Sequence, residues 1–164
     1  MNFARIDTAI NLADKQMGEL TKIDPQLQAF VVGYLVLEIV SEFETRIEQM
    51  FVIRAKKTKD TPVSNFVGKM LDTRFRRPAV GKIKEFLGHF DTAMRICLET
   101  EMKGTQIESS MDSLLTNRDY YVHKEGNATL GFQGVKDAYV DAVKLFDCLA
   151  KALGLSATDL AHLT

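Results

Sequence analysis

The chain has 164 residues, of which 46% are hydrophobic and 26% are charged, and its net charge at pH 7 is -1. This length suits one domain spanning residues 1–164, and the composition is typical of a soluble globular protein. The nearly balanced charge argues against bulk affinity for nucleic acid, so any such affinity must come from local clusters of basic residues.

The first half of the chain has apolar residues at helical spacing. Residues 2–22 are predicted to form an amphipathic helix, because their apolar side chains recur at steps of three and four: Phe3, Ile6, Ile10, Ala13, Met17 and Leu20. Asp24 and Pro25 then supply a cap and a first-turn proline for a helix that continues to about residue 54. A short helix is predicted over residues 61–71.

The second half of the chain also shows helical patterns separated by glycines. One helix is predicted over residues 78–102, with a bend near Gly88, and a second over about residues 106–125. An amphipathic helix over residues 135–153 and a short tail helix over residues 156–162 follow. Strand-like alternation does not occur at useful length, so we predict an all-α bundle of about five to six helices.

No segment is predicted to span a membrane. The longest apolar run, Ala29 to Leu37, is interrupted by Gly33 and followed by Glu38. Near the N-terminus, Asp7 and Asp14 lie where a secretory signal would be apolar. We therefore expect a cytoplasmic protein.

Cys97 and Cys148 each lie in an amphipathic pattern, and two reduced, partly buried thiols are expected.

The sequence lacks the residue patterns of several common chemistries. Acids near His89 and His162 fall short of the repeated ligand set of helical di-metal sites. The sequence also lacks a nucleophile elbow, a Walker glycine loop and a dinucleotide fingerprint. No metal and no cofactor are therefore expected.

Basic residues are concentrated in one part of the chain. Residues 54–84 contain ten lysines and arginines, Arg76 and Arg77 among them, against two acidic residues, which gives a local charge of +8. Such a stretch can follow a phosphate backbone. It is equally typical of solvated loops and helix faces, and the sequence leaves both interpretations open.

The most informative motif lies near the end of the helix predicted over residues 106–125. Arg118 and His123 are separated by four residues, and Asp119 and His123, one helical turn apart, share a face. A histidine moves protons near neutral pH, and an arginine binds phosphate through its planar fork, so the pair suits phosphodiester chemistry. Asp119 is predicted to accept a hydrogen bond from His123 and to orient it. The alternative is a surface ion pair of little energetic value.

The order of these features resembles the HEPN superfamily, and within it the small bacterial proteins usually called RiboL-PSP-HEPN. The resemblance rests on the apolar centre of the long helix at residues 30–40 and on the segment at residues 76–90. It also rests on an amphipathic helix that ends in the Arg118 to His123 motif and is followed by one more amphipathic helix. In that family a polar residue commonly follows the arginine, so Asp119 fits, although its negative charge would weaken anion binding.

This resemblance implies a metal-independent endoribonuclease that acts as a homodimer, for example as a toxin or defence effector. Arg118, Asp119 and His123 are then the predicted catalytic residues. The residues predicted to contact RNA are Arg76, Arg77, Tyr121 and Lys124. An antitoxin or another regulatory protein is a further candidate partner.

A second hypothesis accompanies the first. A non-catalytic HEPN-like dimer would use Arg118 and His123 only for its interface or to bind a nucleotide, RNA or protein. Two roles are also open for Tyr120 and Tyr121, which can stack on bases or pack in the core or the dimer contact. Packing is favoured for at least one of them.

Overall fold

The computed structural model describes residues 2–20, 24–74, 77–123, 128–161 and 163. Within these ranges the chain forms helices and no strand, which confirms the all-α prediction. The helical segments are α1 Ala4–Leu20, α2 Pro25–Lys56, α3 Thr61–Arg74, α4 Val80–Phe90, α5 Thr92–Glu101, α6 Ile107–His123, α7 Phe132–Ala142, α8 Lys144–Leu153 and α9 Ala157–Leu160.

Helix α2 is the axis of the bundle. Its first turn is capped by Asp24, whose carboxylate accepts a hydrogen bond from the backbone N–H of Gln26 at 2.8 Å. Val36, Ile39 and Phe43 are fully buried, and α1, α3, α6, α7 and α8 all pack against this helix. Among the described helices, α2 alone is long and apolar enough to cross a membrane. This is weak evidence for a membrane-spanning segment, because the core helix of a soluble protein passes the same test.

An aromatic cluster joins four of the helices. The centroid of the Phe43 ring lies 5.5 Å from that of Phe3, just before α1, and 5.0 Å from that of Phe146 on α8. Tyr139 on α7 stacks on Phe43 at 6.0 Å, and its hydroxyl donates a hydrogen bond to Asp7 on α1 at 2.7 Å. Burial and this acceptor raise the pKa of Tyr139, so the phenol stays protonated. The cluster fixes α1, α7 and α8 around the centre of α2.

Two predicted helices are each divided into two. The break in the predicted helix 78–102 lies at Asp91, not near Gly88, and separates α4 from α5. Asp91 has an extended backbone and accepts a hydrogen bond from the N–H of Ala93 at 2.8 Å, so its side chain begins a new helix. The predicted helix 135–153 begins earlier, at Phe132, and is interrupted by a turn at Val143. With these two breaks, the seven helical segments predicted along the chain become nine within the described residues.

The C-terminal helix is anchored to the end of α2. Ser156 and Asp159 form a capping box at the start of α9. The Lys57 Nζ also donates to the Asp159 carboxylate at 2.8 Å, and this hydrogen bond lowers the pKa of Asp159. Cys97 on α5 is partly buried and Cys148 on α8 is buried; both are free thiols. His162 lies outside the described residues.

Helices α2 and α6 approach each other closely at one glycine. A Cβ built on Gly33 would lie 2.7 Å from Cδ1 and 2.8 Å from Cε1 of Tyr121, distances that real side chains do not tolerate. Glycine at this position therefore lets the Tyr121 ring lie directly on the backbone of α2. Because α6 carries the Arg118 to His123 motif, this contact sets where the motif lies relative to the core.

We expect Gly33→Ala to lower the free energy of unfolding by about 1–3 kcal/mol, because the methyl group must displace the Tyr121 ring. Gly68→Ala on α3 is the matched control, since a Cβ there would meet nothing within 4 Å. It should raise stability by up to about 1 kcal/mol through helix propensity alone. Urea unfolding followed by circular dichroism measures both, and equal stability of the two variants would contradict the close contact.

Candidate functional site

The last turns of α6 are held against the segment that follows them by a buried asparagine. Asn117 is 0% exposed. Its amide nitrogen donates to the carbonyl of Ser113 at 2.8 Å and to the Thr129 hydroxyl at 2.9 Å. Its amide oxygen accepts from the backbone N–H groups of Thr129 at 2.9 Å and Leu130 at 3.1 Å. Every polar group of this side chain is used, so the segment beginning at residue 128 is fixed to the motif helix.

Asn117 was missed by sequence reasoning. The available signal was a polar residue on the apolar face of α6, where Met111, Leu114 and Leu115 are buried. A buried amide needs hydrogen-bond partners, and here the chain supplies them from a segment twelve residues away. A polar residue at a core position can therefore mark where a loop is attached.

Arg118 and Asp119 are brought together with Arg77 by the fold. Arg118 Nη1 lies 3.2 Å from Asp119 Oδ1, and Arg77 Nη2 lies 2.6 Å from Asp119 Oδ2. Each carboxylate oxygen therefore faces a different guanidinium. The exposed fraction of the side chain is 52% for Arg77, 31% for Arg118 and 16% for Asp119, so the carboxylate lies deepest. We call Arg77, Arg118 and Asp119 the Arg–Asp–Arg cluster.

The loop before α4 places Arg77 in this cluster. Its φ is +68°, in the left-handed region that residues with a Cβ rarely occupy. The carbonyl of Arg77 accepts a hydrogen bond from the N–H of Ala79 at 2.8 Å, and Pro78 between them is buried. Such a backbone persists only where its surroundings hold it. This tight turn carries the guanidinium of Arg77 to the surface of α6.

His123 is the last residue of α6 and is exposed. The predicted hydrogen bond between Asp119 and His123 is not formed, although the two residues share a helix face. Instead the Asp119 carboxylate is turned to the two arginines. Guanidinium groups are permanently charged and donate in pairs to carboxylates, so they outcompete an imidazole for this acceptor. The structure thus assembles an arginine pair at the motif and leaves the imidazole open to solvent.

The remaining residues predicted to contact RNA differ in their surroundings. Tyr121 is partly buried against Gly33. Its pKa is raised, mainly because burial removes water from the phenol and also through the charge interaction with Tyr120. Packing is therefore one clear role of its ring. Arg76 and Lys124 lie outside the described residues.

An apolar groove of about 510 Å³ lies beside the motif, between α2 and the end of α6. The side chains that define it are aromatic or aliphatic, namely Phe30, Tyr34, Leu37, Tyr120 and Tyr121. Phe30 is 71% exposed, and Leu27, Tyr34 and Val122 nearby are exposed as well. A cluster of exposed aromatic residues of this kind is typical of a binding surface. We call it the α2–α6 groove.

A larger groove, of about 770 Å³, lies at the other end of α2 against α3 and α9. Its lining includes Lys56, Lys57 and Asp159 and none of the motif residues. This groove has the larger volume, but the residues that suit phosphate chemistry lie at the end of α6 and not in its lining.

Several charged residues of α2 and of the basic stretch are ion-paired away from the motif. Glu38 and Glu42 on α2 pair with Arg5, and Glu42 also pairs with Arg46 at 2.7 Å, so they do not serve Arg118. In the basic stretch, Lys84 pairs with Glu108 at 2.8 Å. Part of the +8 charge is therefore neutralised locally, and among the described side chains of the stretch Arg77 is one that reaches the motif.

Comparison with known proteins adds one finding. A family model described as RiboL-PSP-HEPN matches residues 2–154. No curated protein and no solved structure matches the chain. The match covers helices α1 to α8 and every residue of the Arg–Asp–Arg cluster.

We expect Asn117→Ala to lower the free energy of unfolding by about 3 kcal/mol, because it leaves buried backbone groups without hydrogen-bond partners. Asn65→Ala, at an exposed position on α3, is the control and should change stability by less than about 0.5 kcal/mol. Urea unfolding of both variants measures the difference. If Asn117→Ala matched the control, the attachment of residues 128–130 to α6 would be energetically unimportant.

Proposed function

Because the chain belongs to the RiboL-PSP-HEPN family, we propose that it is a metal-independent endoribonuclease that cleaves RNA through attack by the ribose 2′-hydroxyl. The observation that carries the proposal is the Arg–Asp–Arg cluster, which lies on the same helix end as an exposed histidine. Guanidinium groups supply positive charge for a phosphate, and the imidazole supplies proton transfer.

The reaction has three chemical requirements. The 2′-oxygen forms a bond to phosphorus as its proton passes to a base, and the bond to the 5′-oxygen breaks as that oxygen takes a proton from an acid. The pentacoordinate phosphate in between carries extra negative charge that needs stabilisation. The products are a 2′,3′-cyclic phosphate and a 5′-hydroxyl. In this proposal His123 transfers protons and Arg118 binds the scissile phosphate, giving up its contact with the Asp119 carboxylate to do so.

A homodimer would complete the proton transfers. One protomer offers a single histidine in the motif, whereas the reaction uses both a base and an acid. We propose that the α2–α6 groove, with its exposed aromatic residues at the motif end of the bundle, packs against the same surface of a second copy. A two-fold axis there would bring two His123 side chains near one phosphate.

Other parts of the proposal concern partners. Arg77 would bind RNA directly, and Arg76, Tyr121 and Lys124 would extend the contact along the strand. A cytoplasmic toxin or defence effector restrained by an antitoxin would fit such an activity. A non-catalytic dimer that binds nucleotide, RNA or protein is the alternative, and the first experiment below separates the two.

Purified protein should cleave mixed cellular RNA in the presence of EDTA and leave 2′,3′-cyclic phosphate ends. We expect His123→Ala to reduce the rate about 100-fold or more, as loss of a general acid or base does. His89→Ala is the matched control, because His89 is an exposed histidine on α4. Its rate should equal that of the wild type. Binding without cleavage would favour the non-catalytic alternative. Equal cleavage by the wild type and by His123→Ala would instead show that His123 is not a catalytic residue.

Phe30→Glu should convert the protein to a monomer in sedimentation experiments, because a charge at the centre of an apolar interface is costly to bury. Phe66→Glu provides the control: Phe66 is a similarly exposed phenylalanine, at 64%, on α3. That variant should stay dimeric. A monomeric wild type, or dissociation by both substitutions, would argue against dimerisation through the α2–α6 groove.

A further inference from the structure

The Arg–Asp–Arg cluster has the form of a phosphate site that already holds an anion. We propose that Arg77 and Arg118 together form the binding site for one phosphate group of RNA, and that the Asp119 carboxylate occupies this site until RNA displaces it. The choice of RNA as the source of the phosphate rests on the proposed function. The competition between Asp119 and an incoming phosphate rests on the geometry of the cluster alone.

The contacts support a shared site. The two guanidiniums come from different elements, the loop before α4 and helix α6, yet each contacts its own oxygen of one carboxylate, at 2.6 and 3.2 Å. A phosphodiester also carries one negative charge and two non-bridging oxygens. It can therefore accept from the same two guanidiniums, one through each oxygen.

The exposures indicate how a ligand would enter. Arg77 is about half exposed and Arg118 about a third exposed, whereas the Asp119 carboxylate is the least exposed of the three. An anion approaching from solvent meets the arginines first and can draw their donors outward. Asp119 then remains below the phosphate with its own charge, and the repulsion between the two anions weakens binding.

The backbone of Arg77 points to the same conclusion. A left-handed φ at a residue with a Cβ is unfavourable, and the turn through the buried Pro78 directs the side chain to Asp119. The loop therefore positions Arg77 for a partner on α6, and a second guanidinium beside Arg118 strengthens the site for phosphate.

The test measures binding separately from cleavage. A short, fluorescently labelled 2′-O-methyl RNA cannot undergo attack by its 2′-oxygen, so its fluorescence anisotropy reports affinity alone. At low salt we expect Asp119→Asn, which keeps the shape and removes the charge, to bind about tenfold more tightly than the wild type. Circular dichroism and thermal melting would establish that each variant is folded.

Two comparisons distinguish competition from a general effect of charge. Asp112→Asn removes the same charge from an exposed position two turns earlier on the same face of α6, and its affinity should change less than about twofold. In an Arg77→Gln background the gain from Asp119→Asn should fall to about twofold, because the competition needs both arginines. Unchanged or weaker binding by Asp119→Asn overturns the inference. So does a gain equal to that of Asp112→Asn, or one that persists in full without Arg77.

The result is independent of whether the protein is a nuclease. If unmodified RNA is not cleaved by wild-type protein but the anisotropy pattern holds, the nuclease proposal fails and the two-arginine phosphate site stands. If RNA is cleaved but Asp119→Asn gives no gain, the site proposal fails alone.

Discussion

The contact between α2 and α6 at Gly33 and Tyr121 is the constraint on which the geometry of the motif depends. Helix α2 is the axis around which the bundle packs, and α6 carries the motif, so their separation fixes where the motif lies. The missing Cβ of Gly33 permits an approach that any other residue would prevent. The groove lined by the exposed Phe30 and Tyr34 lies beside this contact, at the motif end of the bundle.

Polar side chains then attach two loops to α6. Asn117 binds the backbone at residues 129 and 130, and Asp119 binds Arg77 from the loop before α4. The first attachment is buried and fully hydrogen-bonded, so it is stable. The second is partly exposed and rests on charge, and it is the contact that we propose an RNA phosphate displaces. The site therefore combines one buried, hydrogen-bonded attachment with one partly exposed ion pair.

Most of the helical pattern was predictable because it depends on local periodicity. The start of α2 at Asp24-Pro25 and the helical end at Gly154 follow from cap and turn chemistry that neighbouring residues determine. The division at Asp91 was not predicted, since the side chain of Asp91 competes with helix continuation and the apolar pattern runs through it. The pairing of Asp119 was likewise misjudged, because helix geometry places His123 near it but says nothing of Arg77, forty-two positions earlier.

The sequence by itself determined that the chain is helical, which faces of its helices are apolar, and which residue types near the end of α6 suit phosphate chemistry. Those properties follow from spacing and side-chain chemistry within one helix. Only the tertiary structure decided that Asp119 faces two arginines, that Asn117 hydrogen-bonds to residues 129 and 130, and that Tyr121 lies on Gly33. These contacts join parts of the chain that are distant in sequence, and packing alone selects which of many chemically suitable partners meet.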